Sequence, residues 1–493
     1  MDKFILSIDQ GTSSTRSIVF NQSGHVKGSH QIEHRQFYPH QSWVEHDPSE
    51  IKHAVESTIQ GALMQAKVQF RDIGAIGVTN QRETIVAWDS ETGTPLHNAI
   101  VWQCRRSADL VEGLKKGGYG LMIRDKTGLV LDAYFSATKI QWLIENVDKI
   151  ASKLRTNTVH FGTIDSWIIN FLTGSYATDA SNASRTMLYN INSNEWDEEL
   201  LELFGVPIQT LPEVIPNASD IPFGTVIAEG VEIPIRGVLG DQQSALFGHS
   251  AFHKGQIKTT YGTGNFCLLN TGADVIKSSN SLISTIGWQI GTKTTYVLEG
   301  SVFVTGAALR WLRDELEIFT NYSDIDNMVS KEKISDNLFF VPAFVGLGAP
   351  YWDSSARGTI IGITGGTTKE NILHATLASI VYQTEELISL MQKDTGIKIQ
   401  DMNVDGGITN SHIAMQLQAD ISQLRINLPQ NTETTALGAA MMAGLNLYFD
   451  NLDELKHFNP QESHFTPAML PSTASEMIKN WKRAVQRSLA WQG

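Results

Sequence analysis

Residues 4–24 of the chain read FILSIDQGTSSTRSIVFNQSG, and residues 255–272 read GQIKTTYGTGNFCLLNTG. In both stretches two apolar segments flank a tight bend that contains glycine and threonine, a pattern typical of a β-hairpin. The two copies start about half a chain apart. The repeat predicts two related domains, each opening with a hairpin whose tip presents backbone N–H groups. Two unrelated hairpins with similar tips are the alternative interpretation.

Strands and helices alternate along the rest of the chain. Residues 73–90 have the pattern strand, loop, strand, and residues 47–68 that of a helix with Pro48 in its first turn. Apolar residues recur at three- and four-residue steps over 371–394, which indicates a helix with one buried face. Small residues over 435–447 predict a helix that packs closely against a neighbour. This alternation predicts an α/β protein.

The length of the chain, 493 residues, fits two large domains as well as three smaller ones. Because the second hairpin begins at residue 255, we place the boundary near residue 248. The predicted domains therefore comprise residues 1–248 and residues 249–493.

The composition excludes several classes of protein. Hydrophobic residues make up 41% of the chain, which is enough for sizeable cores. The net charge of −14 argues against non-specific binding to nucleic acid, although a local site can still attract an anion. The two cysteines, Cys104 and Cys267, have no paired spacing, so a disulfide scaffold or a cysteine zinc site is not expected. Without a signal-peptide pattern or a membrane-spanning stretch, we expect a cytoplasmic protein.

The tip of the first hairpin is a candidate phosphate site. The P-loop pattern and the dinucleotide-binding glycine pattern are both absent from the sequence, so phosphate binding needs another device. Asp9 ends an apolar strand and can hold Mg²⁺, while Thr12, Ser13, Ser14 and Arg16 can surround phosphoryl oxygens. A turn that is merely rich in serine and threonine is the alternative.

Two later segments extend this candidate site. The second tip carries Thr263, and two facing tips can clamp a triphosphate. An apolar strand ends at Gly406 and Gly407, where a base or ribose can approach the backbone closely. A plain Gly-Gly turn is the alternative for the latter.

Three further segments are candidates for the substrate. Asp241 follows an apolar strand and can accept a proton from an alcohol. The neighbours Arg82 and Glu83 offer donors and acceptors for adjacent hydroxyls, and Trp102 offers an apolar wall. The alternatives are a structural turn for Asp241, a solvated ion pair for Arg82 and Glu83, and core packing for Trp102.

Together these segments resemble the FGGY family of carbohydrate kinases. The similar motifs run from about residue 4 to residue 447 and include IDQGTSSTR, WVEHDP, TNQRET, AIVWQCRR, LDAYFS, SNASRTMLYNI, GDQQSALFG, TYGTGNF, VDGGITN and TETTALGAA. WVEHDP, IVWQCRR and LDAYFS resemble the members that act on glycerol. The resemblance implies two ribonuclease-H-like domains of the actin and hexokinase type, with a catalytic cleft between them.

The resemblance also implies an activity: an ATP-dependent kinase that uses Mg²⁺ and converts glycerol to sn-glycerol 3-phosphate in glycerol uptake and catabolism. A kinase for another small polyol or ketose is the first alternative. An actin-like ATPase or an inactive sensor is the second. A homo-oligomer, either a dimer or a tetramer, is expected, with no nucleic-acid partner and no membrane insertion.

The family's site residues can be carried over one by one. Asp9 would hold the metal, and Asp241 would be the catalytic base. The phosphates would contact Thr12, Ser13, Ser14, Arg16 and Thr263, and the nucleoside would contact Gly306 and Gly407. Glycerol would be held by Arg82, Glu83, Tyr134, Asp241 and Gln242, with Trp102 and Phe266 packed on its carbon atoms.

Two positions depart from the family pattern near the base. The family often has glutamine where this chain has Arg310 and asparagine where it has Ser411. An arginine donates hydrogen bonds but accepts none, so a base-facing Arg310 predicts weak selectivity between purines. A solvated Arg310, paired with Asp314 one helical turn on, is the alternative.

Overall fold

The computed structural model describes residues 3–330, 337–351, 353 and 355–491. Both predicted hairpins are confirmed. In the first hairpin Asp9 pairs with Arg16, and in the second Tyr261 pairs with Asn265. Each hairpin lies in the middle of a large mixed sheet, one of six strands and one of seven.

The elements are as follows. The strands up to residue 240 are β1 (Phe4–Gln10), β2 (Ser14–Phe20), β3 (Val26–Glu33), β4 (Glu45–His46), β5 (Ile73–Asn80), β6 (Ile85–Asp89), β7 (Ala99–Ile100), β8 (Val159–Thr163), β9 (Ala177–Asp179), β10 (Tyr189–Asn190), β11 (Glu195–Trp196), β12 (Glu213–Ile215), β13 (Gly224–Ala228) and β14 (Val231–Gly240). The helices up to residue 248 are α1 (Pro48–Ala66), α2 (Ala108–Lys116), α3 (Gly120–Thr127), α4 (Ser136–Asn146), α5 (Asp148–Arg155), α6 (Ile164–Thr173), α7 (Ala180–Ala183), α8 (Glu198–Phe204) and α9 (Asp241–Gly248).

The remaining elements follow the second hairpin. The strands are β15 (Ile257–Tyr261), β16 (Asn265–Gly272), β17 (Ile283–Ile290), β18 (Lys293–Val302), β19 (Phe339–Val341), β20 (Thr359–Ile361), β21 (Asp401–Gly406), β22 (Arg425–Pro429) and β23 (Gln461–Phe465). The helices are α10 (Gly306–Asp314), α11 (Ile325–Val329), α12 (Lys369–Thr395), α13 (His412–Ser422), α14 (Thr434–Gly444), α15 (Leu452–Leu455) and α16 (Pro471–Val485).

The two large sheets have the same core topology. The first has the order β13-β14-β5-β1-β2-β3 and the second the order β17-β18-β16-β15-β21-β22-β23. In each, the hairpin is antiparallel, its first strand pairs in parallel with a later strand, and that strand pairs in parallel with another. The repeat that the hairpins predicted therefore extends over at least four strands of each sheet.

Local sequence signals explain the ends of the long helices. The Asp47 side chain caps α1 by accepting a hydrogen bond from the Ser49 N–H at 2.8 Å, and Pro48 occupies the first turn. Thr368 and Asn371 form a reciprocal capping box at the start of α12. The helix predicted over 371–394 thus begins at Lys369, two residues earlier than the apolar pattern indicates.

The small-residue helix, α14, packs on the first sheet and on α9. A Cβ atom built on Gly438 would lie 1.9 Å from the carbonyl oxygen of Ser244, and one built on Gly248 would lie 2.0 Å from that of Thr434. The backbones of α9 and α14 therefore touch, as the composition of 435–447 predicted. Although α14 comes late in the chain, it covers a face of the sheet formed by the first half.

The two halves also share core and hydrogen bonds. One buried cluster joins Tyr189 and Ile191 of the first half to Ile286 and Tyr296 of the second. The Tyr296 hydroxyl donates a hydrogen bond to the Ile191 carbonyl at 2.8 Å. Strands β17 and β18 therefore dock against the segment that follows α7. Among the described residues, no helix is long and apolar enough to cross a membrane.

Candidate active site

The strand topology brings the candidate residues of the first half together. Strands β1, β5 and β14 are parallel neighbours, and Gln10, Asn80 and Gly240 lie side by side at their carboxyl ends. The first hairpin tip, the Arg82–Glu83 loop and Asp241 follow these three ends directly. Parallel strands commonly present ligand-binding loops at this edge. Three segments far apart in the sequence thus form one site.

The first hairpin tip carries partly satisfied hydroxyls. The Gly11 N–H donates to the Ser14 carbonyl at 2.9 Å and closes the turn. Thr12 Oγ1 accepts a hydrogen bond from Trp102 Nε1 at 3.0 Å, and Ser14 Oγ accepts one from a glutamine amide of β3. Ser13 is exposed at the apex. The tip is therefore ordered by the protein and open at its apex.

Three carboxylates surround Arg16 and the start of the hairpin. Arg16 is ion-paired with Glu433, and its Nη2 lies 3.7 Å from Asp9 Oδ2. The pKa of Asp9 is raised to about 6, because burial and the nearby charges of Asp241 and Glu433 together outweigh the lowering effect of Arg16. A raised pKa means that the negative charge is poorly compensated, so an added cation would be stabilised at this point.

The second hairpin tip is docked on the start of α10. The Gly306 N–H donates to the Gly262 carbonyl at 3.1 Å, and the N–H groups of Thr305 and Ala307 both donate to the Thr263 carbonyl. A Cβ atom on Gly306 would lie 2.5 Å from the Gly262 oxygen, so only glycine fits there. Thr263 itself is exposed at the tip.

Arg310 lies beside this tip rather than against a carboxylate. Its Nη2 is 3.5 Å from Thr263 Oγ1, and the side chain is exposed. Asp314, the alternative partner, is ion-paired with Arg313 at 2.6 Å. Arg310 is therefore not ion-paired with Asp314, although Arg313 and, more weakly, the charge of Arg310 lower the pKa of that carboxyl group.

The other predicted nucleoside contacts lie after β21. Gly406 adopts a φ of 93° and pairs with Tyr261, whose carbonyl oxygen would lie 2.2 Å from an added Cβ. Gly407 is exposed, and a Cβ atom there would meet open space. The Ser411 hydroxyl caps α13 and donates to Asp326, so both of its hydrogen-bonding roles are used within the fold.

A buried ionic cluster forms the floor of the substrate site. Arg82 and Glu83, in the loop between β5 and β6, are only 2% and 1% exposed. Arg82 donates to both oxygens of Glu299, at 2.6 and 3.2 Å, and its Nε lies 3.2 Å from Asp241 Oδ1. Arg185 donates to Glu83 at 2.7 Å and to Glu299 at 3.0 Å. The predicted pair Arg82–Glu83 is therefore not a solvated ion pair.

The cluster divides its carboxyl groups by pKa. Burial raises the pKa of Asp241, and the charges of Arg82 and Lys258 offset this in part. Burial also acts on Glu299, but Arg185 and Arg82 outweigh it and lower the pKa to about 2. Glu299 is thus a permanent anion, whereas Asp241 is the more basic carboxylate.

Asp241 is the member of this group that faces the open side. It is the first residue of α9, its side chain is 29% exposed, and its Oδ1 accepts a hydrogen bond from the Gln242 N–H at 2.7 Å. Gln242 Oε1 accepts a hydrogen bond from Lys258 Nζ at 2.6 Å. Burial lowers the pKa of Lys258 to about 8. A reachable carboxylate with an open side can take a proton from a bound alcohol.

Aromatic rings enclose the space beside the cluster. Trp102 follows β7 and packs edge to face on Tyr134, which precedes α4, with 5.5 Å between the ring centres. Phe266, on β16, lies with its ring centre 5.9 Å from the Arg82 guanidinium carbon. The predicted apolar walls are therefore next to the predicted polar groups, and they come from both halves of the chain.

Sequence reasoning missed four charged residues of this site. Arg185, Lys258, Glu299 and Glu433 all contact predicted site residues. Arg185 lies within a quoted family motif, SNASRTMLYNI, and Glu299 interrupts an apolar strand, YVLEGSV. Charged residues are seldom buried without a partner. A charge within an apolar strand or a family motif therefore indicates a buried ion pair, and these positions carried that signal.

The chain is similar to a known protein family over most of its length. The N-terminal domain of the FGGY family of carbohydrate kinases matches residues 4–248, and its C-terminal domain matches residues 257–447. The chain belongs to the FGGY family of carbohydrate kinases. The family predicted from the sequence is confirmed, and so is the fold class, a two-domain FGGY kinase fold of the actin and hexokinase type.

Relatives within the FGGY family extend over the whole chain. Glycerol kinase 2 of Thermotoga maritima is 48% identical over 99% of each chain, and glycerol kinase of Pseudothermotoga lettingae is 50% identical over 99% of each. The crystal structure of Plasmodium falciparum glycerol kinase with ADP superimposes with a TM-score of 0.93 at 37% identity, over 99% of this chain and 98% of that one.

Proposed function

We propose that this FGGY kinase transfers a phosphoryl group from ATP to glycerol and produces sn-glycerol 3-phosphate. The observation that supports this most is the grouping of Arg82, Glu83 and Asp241 at one sheet edge, beside the first hairpin tip and between aromatic walls. Two glycerol kinases that are 48% and 50% identical to this protein over nearly the full chain further support the proposal.

Glycerol has two chemically identical ends, so its site must treat them differently. Arg82 donates and Glu83 accepts, so this pair can hold two adjacent hydroxyls and leave the third beside Asp241. Trp102 and Phe266 can then cover the carbon atoms. An analogue that lacks one hydroxyl would leave a buried polar group unpaired, at a cost of about 1–3 kcal/mol.

Asp241 is proposed as the base that receives the hydroxyl proton. Its burial-raised pKa makes it more basic than an ordinary aspartate, and Arg82 keeps the carboxylate oriented. Phosphoryl transfer depends mainly on alignment and on stabilisation of charge. Arg16, Thr12, Ser13, Ser14 and Thr263 are proposed to supply these at the phosphates, and Gly306 and Gly407 to line the nucleoside.

The residues around Asp9 fit a magnesium ion. The described residues contain no group of three or more His, Cys, Asp or Glu side chains placed to hold a metal. Mg²⁺ commonly takes one or two carboxylates and completes its shell with water and substrate phosphates. Asp9, with its poorly compensated charge, would hold it, and the ion would neutralise phosphate charge when bound.

The test is direct detection of glycerol 3-phosphate formed from ATP and glycerol by the purified protein. A panel of small polyols and ketoses at matched concentrations tests the first alternative. A compound with a higher kcat/KM than glycerol would be the preferred substrate and would contradict the proposal. ADP release that is equal with and without glycerol would instead favour the ATPase alternative and contradict the proposal.

We further propose that the protein works in the cytoplasm as a homo-oligomer, a dimer or tetramer, with glycerol and ATP as its ligands. Light scattering on the purified protein measures the oligomeric state. A monomer at micromolar concentration would contradict that part of the proposal and leave the proposed activity unaffected.

A further inference from the structure

Glu299 reaches the proposed polyol site from the opposite half of the chain. It lies on β18 of the seven-stranded sheet, and its side chain is 1% exposed. Its two oxygens accept three hydrogen bonds, two from Arg82 and one from Arg185. Both arginines belong to the first half, so a carboxylate of the nucleotide half holds the arginine that faces the polyol.

The other partners of Arg82 do not replace Glu299. Gln243 accepts one hydrogen bond from Arg82 Nη1 at 3.2 Å, and Glu83 lies 3.9 Å from its Nε. Asp241 lies 3.2 Å from Nε and is the proposed base. Among the described residues, only Glu299 takes both terminal nitrogens of the Arg82 guanidinium, which fixes the plane of the group.

Glu299 is the carboxylate whose charge acts most strongly on both arginines of the cluster. Three cations and three carboxylates are in mutual contact or close range, namely Arg82, Arg185, Lys258, Glu83, Asp241 and Glu299. Removal of one partner of a buried charged pair leaves the other uncompensated. Without Glu299, the arginines would be drawn toward Glu83 and Asp241, which are the groups proposed to contact the substrate.

The approach of Glu299 depends on the docking of the two halves. The hydroxyls of Ser184 and Thr285 lie 2.6 Å apart across this junction, and the Tyr296 hydroxyl bonds the Ile191 carbonyl. Tyr296 lies on β18, the strand that also carries Glu299, and Thr285 lies on the neighbouring strand β17. These contacts hold β17 and β18 against the first half, where Glu299 reaches Arg82.

We infer that Glu299 is a positioning residue for the polyol site, and that polyol binding requires this contact between the halves. The inference rests on the proposed function, since it assigns Arg82 to the polyol. It does not place Glu299 in contact with the substrate. Glu299 acts through Arg82 and Arg185, and the nucleotide site does not depend on it.

The test variant is Glu299→Gln, which keeps the shape of the side chain. Its amide nitrogen donates rather than accepts, so it faces the arginine donors unfavourably. We expect the KM for glycerol to rise at least about 10-fold and the glycerol affinity measured by calorimetry without ATP to fall equally, with the KM for ATP changed by less than about 2-fold. Glu299→Asp keeps the charge and should show a smaller rise.

The matched control is Glu386→Gln. Glu386 is also a buried glutamate of the second half, but it accepts hydrogen bonds from Tyr351 and Trp481. Its substitution should lower the unfolding temperature without changing the KM for glycerol. A purely structural role for Glu299 predicts the same behaviour for Glu299→Gln, namely lower stability and an unchanged ratio of the two KM values, and this result would overturn the inference.

Further outcomes separate the inference from the proposed function. A wild-type protein that does not phosphorylate glycerol contradicts the proposed function, whereas an active wild type with unselective effects in Glu299→Gln contradicts only the inference. If Glu299→Gln does not fold, Glu299→Asp and Arg185→Lys should still raise the KM for glycerol selectively, Glu299→Asp by less than about 10-fold. If none of these variants folds, the contact serves stability and the inference is wrong.

Discussion

Arg16, at the base of the first hairpin tip, is ion-paired with Glu433, 417 positions further along the chain. Glu433 directly precedes α14, so the pair links the hairpin to the helix that covers its sheet. The proposed role of Arg16 is to contact phosphate. In the structure the Glu433 carboxylate is bound to Arg16 where a phosphate would bind, so an incoming triphosphate must compete with Glu433 for the guanidinium.

Glu433→Gln should therefore lower the KM for ATP. The pair is partly exposed, and such pairs are worth about 0–1 kcal/mol, which corresponds to a decrease of up to about 5-fold. The KM for glycerol should not change. Steady-state kinetics at saturating glycerol measure the effect, and Glu370→Gln, in the first turn of α12, is the control. A higher KM for ATP would instead mean that Glu433 helps to hold the nucleotide or its metal.

Asp241→Asn should reduce kcat by about 10²–10⁴-fold, because the variant keeps the size of the side chain but loses its basicity. Stability should be little affected, since burial already disfavours the charged form of Asp241. Initial rates, together with the unfolding temperature of each protein, check this. Near-normal turnover in a folded variant would remove Asp241 from the proton transfer.

The pH dependence of kcat/KM should show an alkaline limb near pH 8. The pKa of buried Lys258 is lowered to about 8, so this lysine is charged below that pH and neutral above it. Loss of the charge leaves the carboxylates around Asp241 less compensated as the triphosphate approaches. Lys258→Arg stays charged throughout, so its alkaline limb should shift upward by at least about one pH unit. An identical limb in both proteins would assign it to another group.

Arg310→Gln should sharpen the choice between ATP and GTP or ITP. Arg310 lies beside Thr263 and is not paired with Asp314, so its donors can face the base or stack on it. The ratio of kcat/KM values for the nucleotides should be low in the wild type and higher in the variant. Arg313→Gln, one turn along the same helix, is the control and should leave the ratio unchanged. Equal ratios in wild type and Arg310→Gln would make Arg310 a surface residue.

Gly438→Ala should destabilise the protein by at least about 1–3 kcal/mol, since its Cβ atom would lie 1.9 Å from the Ser244 carbonyl oxygen. Gly113→Ala, in α2, places its Cβ atom in open space and should stabilise the protein by up to about 1 kcal/mol. Thermal or urea unfolding of the two variants checks the contrast. Equal effects would show that the contact between α9 and α14 tolerates an extra methyl group.

Local patterns predicted most of the elements that matter. Both hairpins, α1 and α12 follow from apolar spacing and capping residues, and the small residues of α14 predicted its close packing. The predicted phosphate and polyol residues meet because the strands before them are parallel neighbours.

Contacts between segments far apart in the chain could not be predicted from the sequence. Glu299 and Arg82 are 217 positions apart, and nothing in the local pattern of either residue identifies the other. The partner of Arg310 was ambiguous for a different reason: helical spacing allowed Asp314, but the nearer Arg313 takes that carboxylate. Electrostatic partners are decided by the assembled fold, whereas turns and caps are decided by neighbours in the chain.

The position of α14 determines when, during synthesis of the chain, the first half can complete its fold. Glycines of β5 and β14 lie against its backbone, where a Cβ on Gly77 would be 2.2 Å from the Ala439 carbonyl oxygen. The first sheet leaves the ribosome early, but this helix emerges only when translation is nearly complete. Since domains usually fold in order of synthesis, the first half must wait with one apolar face uncovered. A chain truncated before residue 434 would therefore keep this apolar face exposed, and chaperones and proteases would bind it.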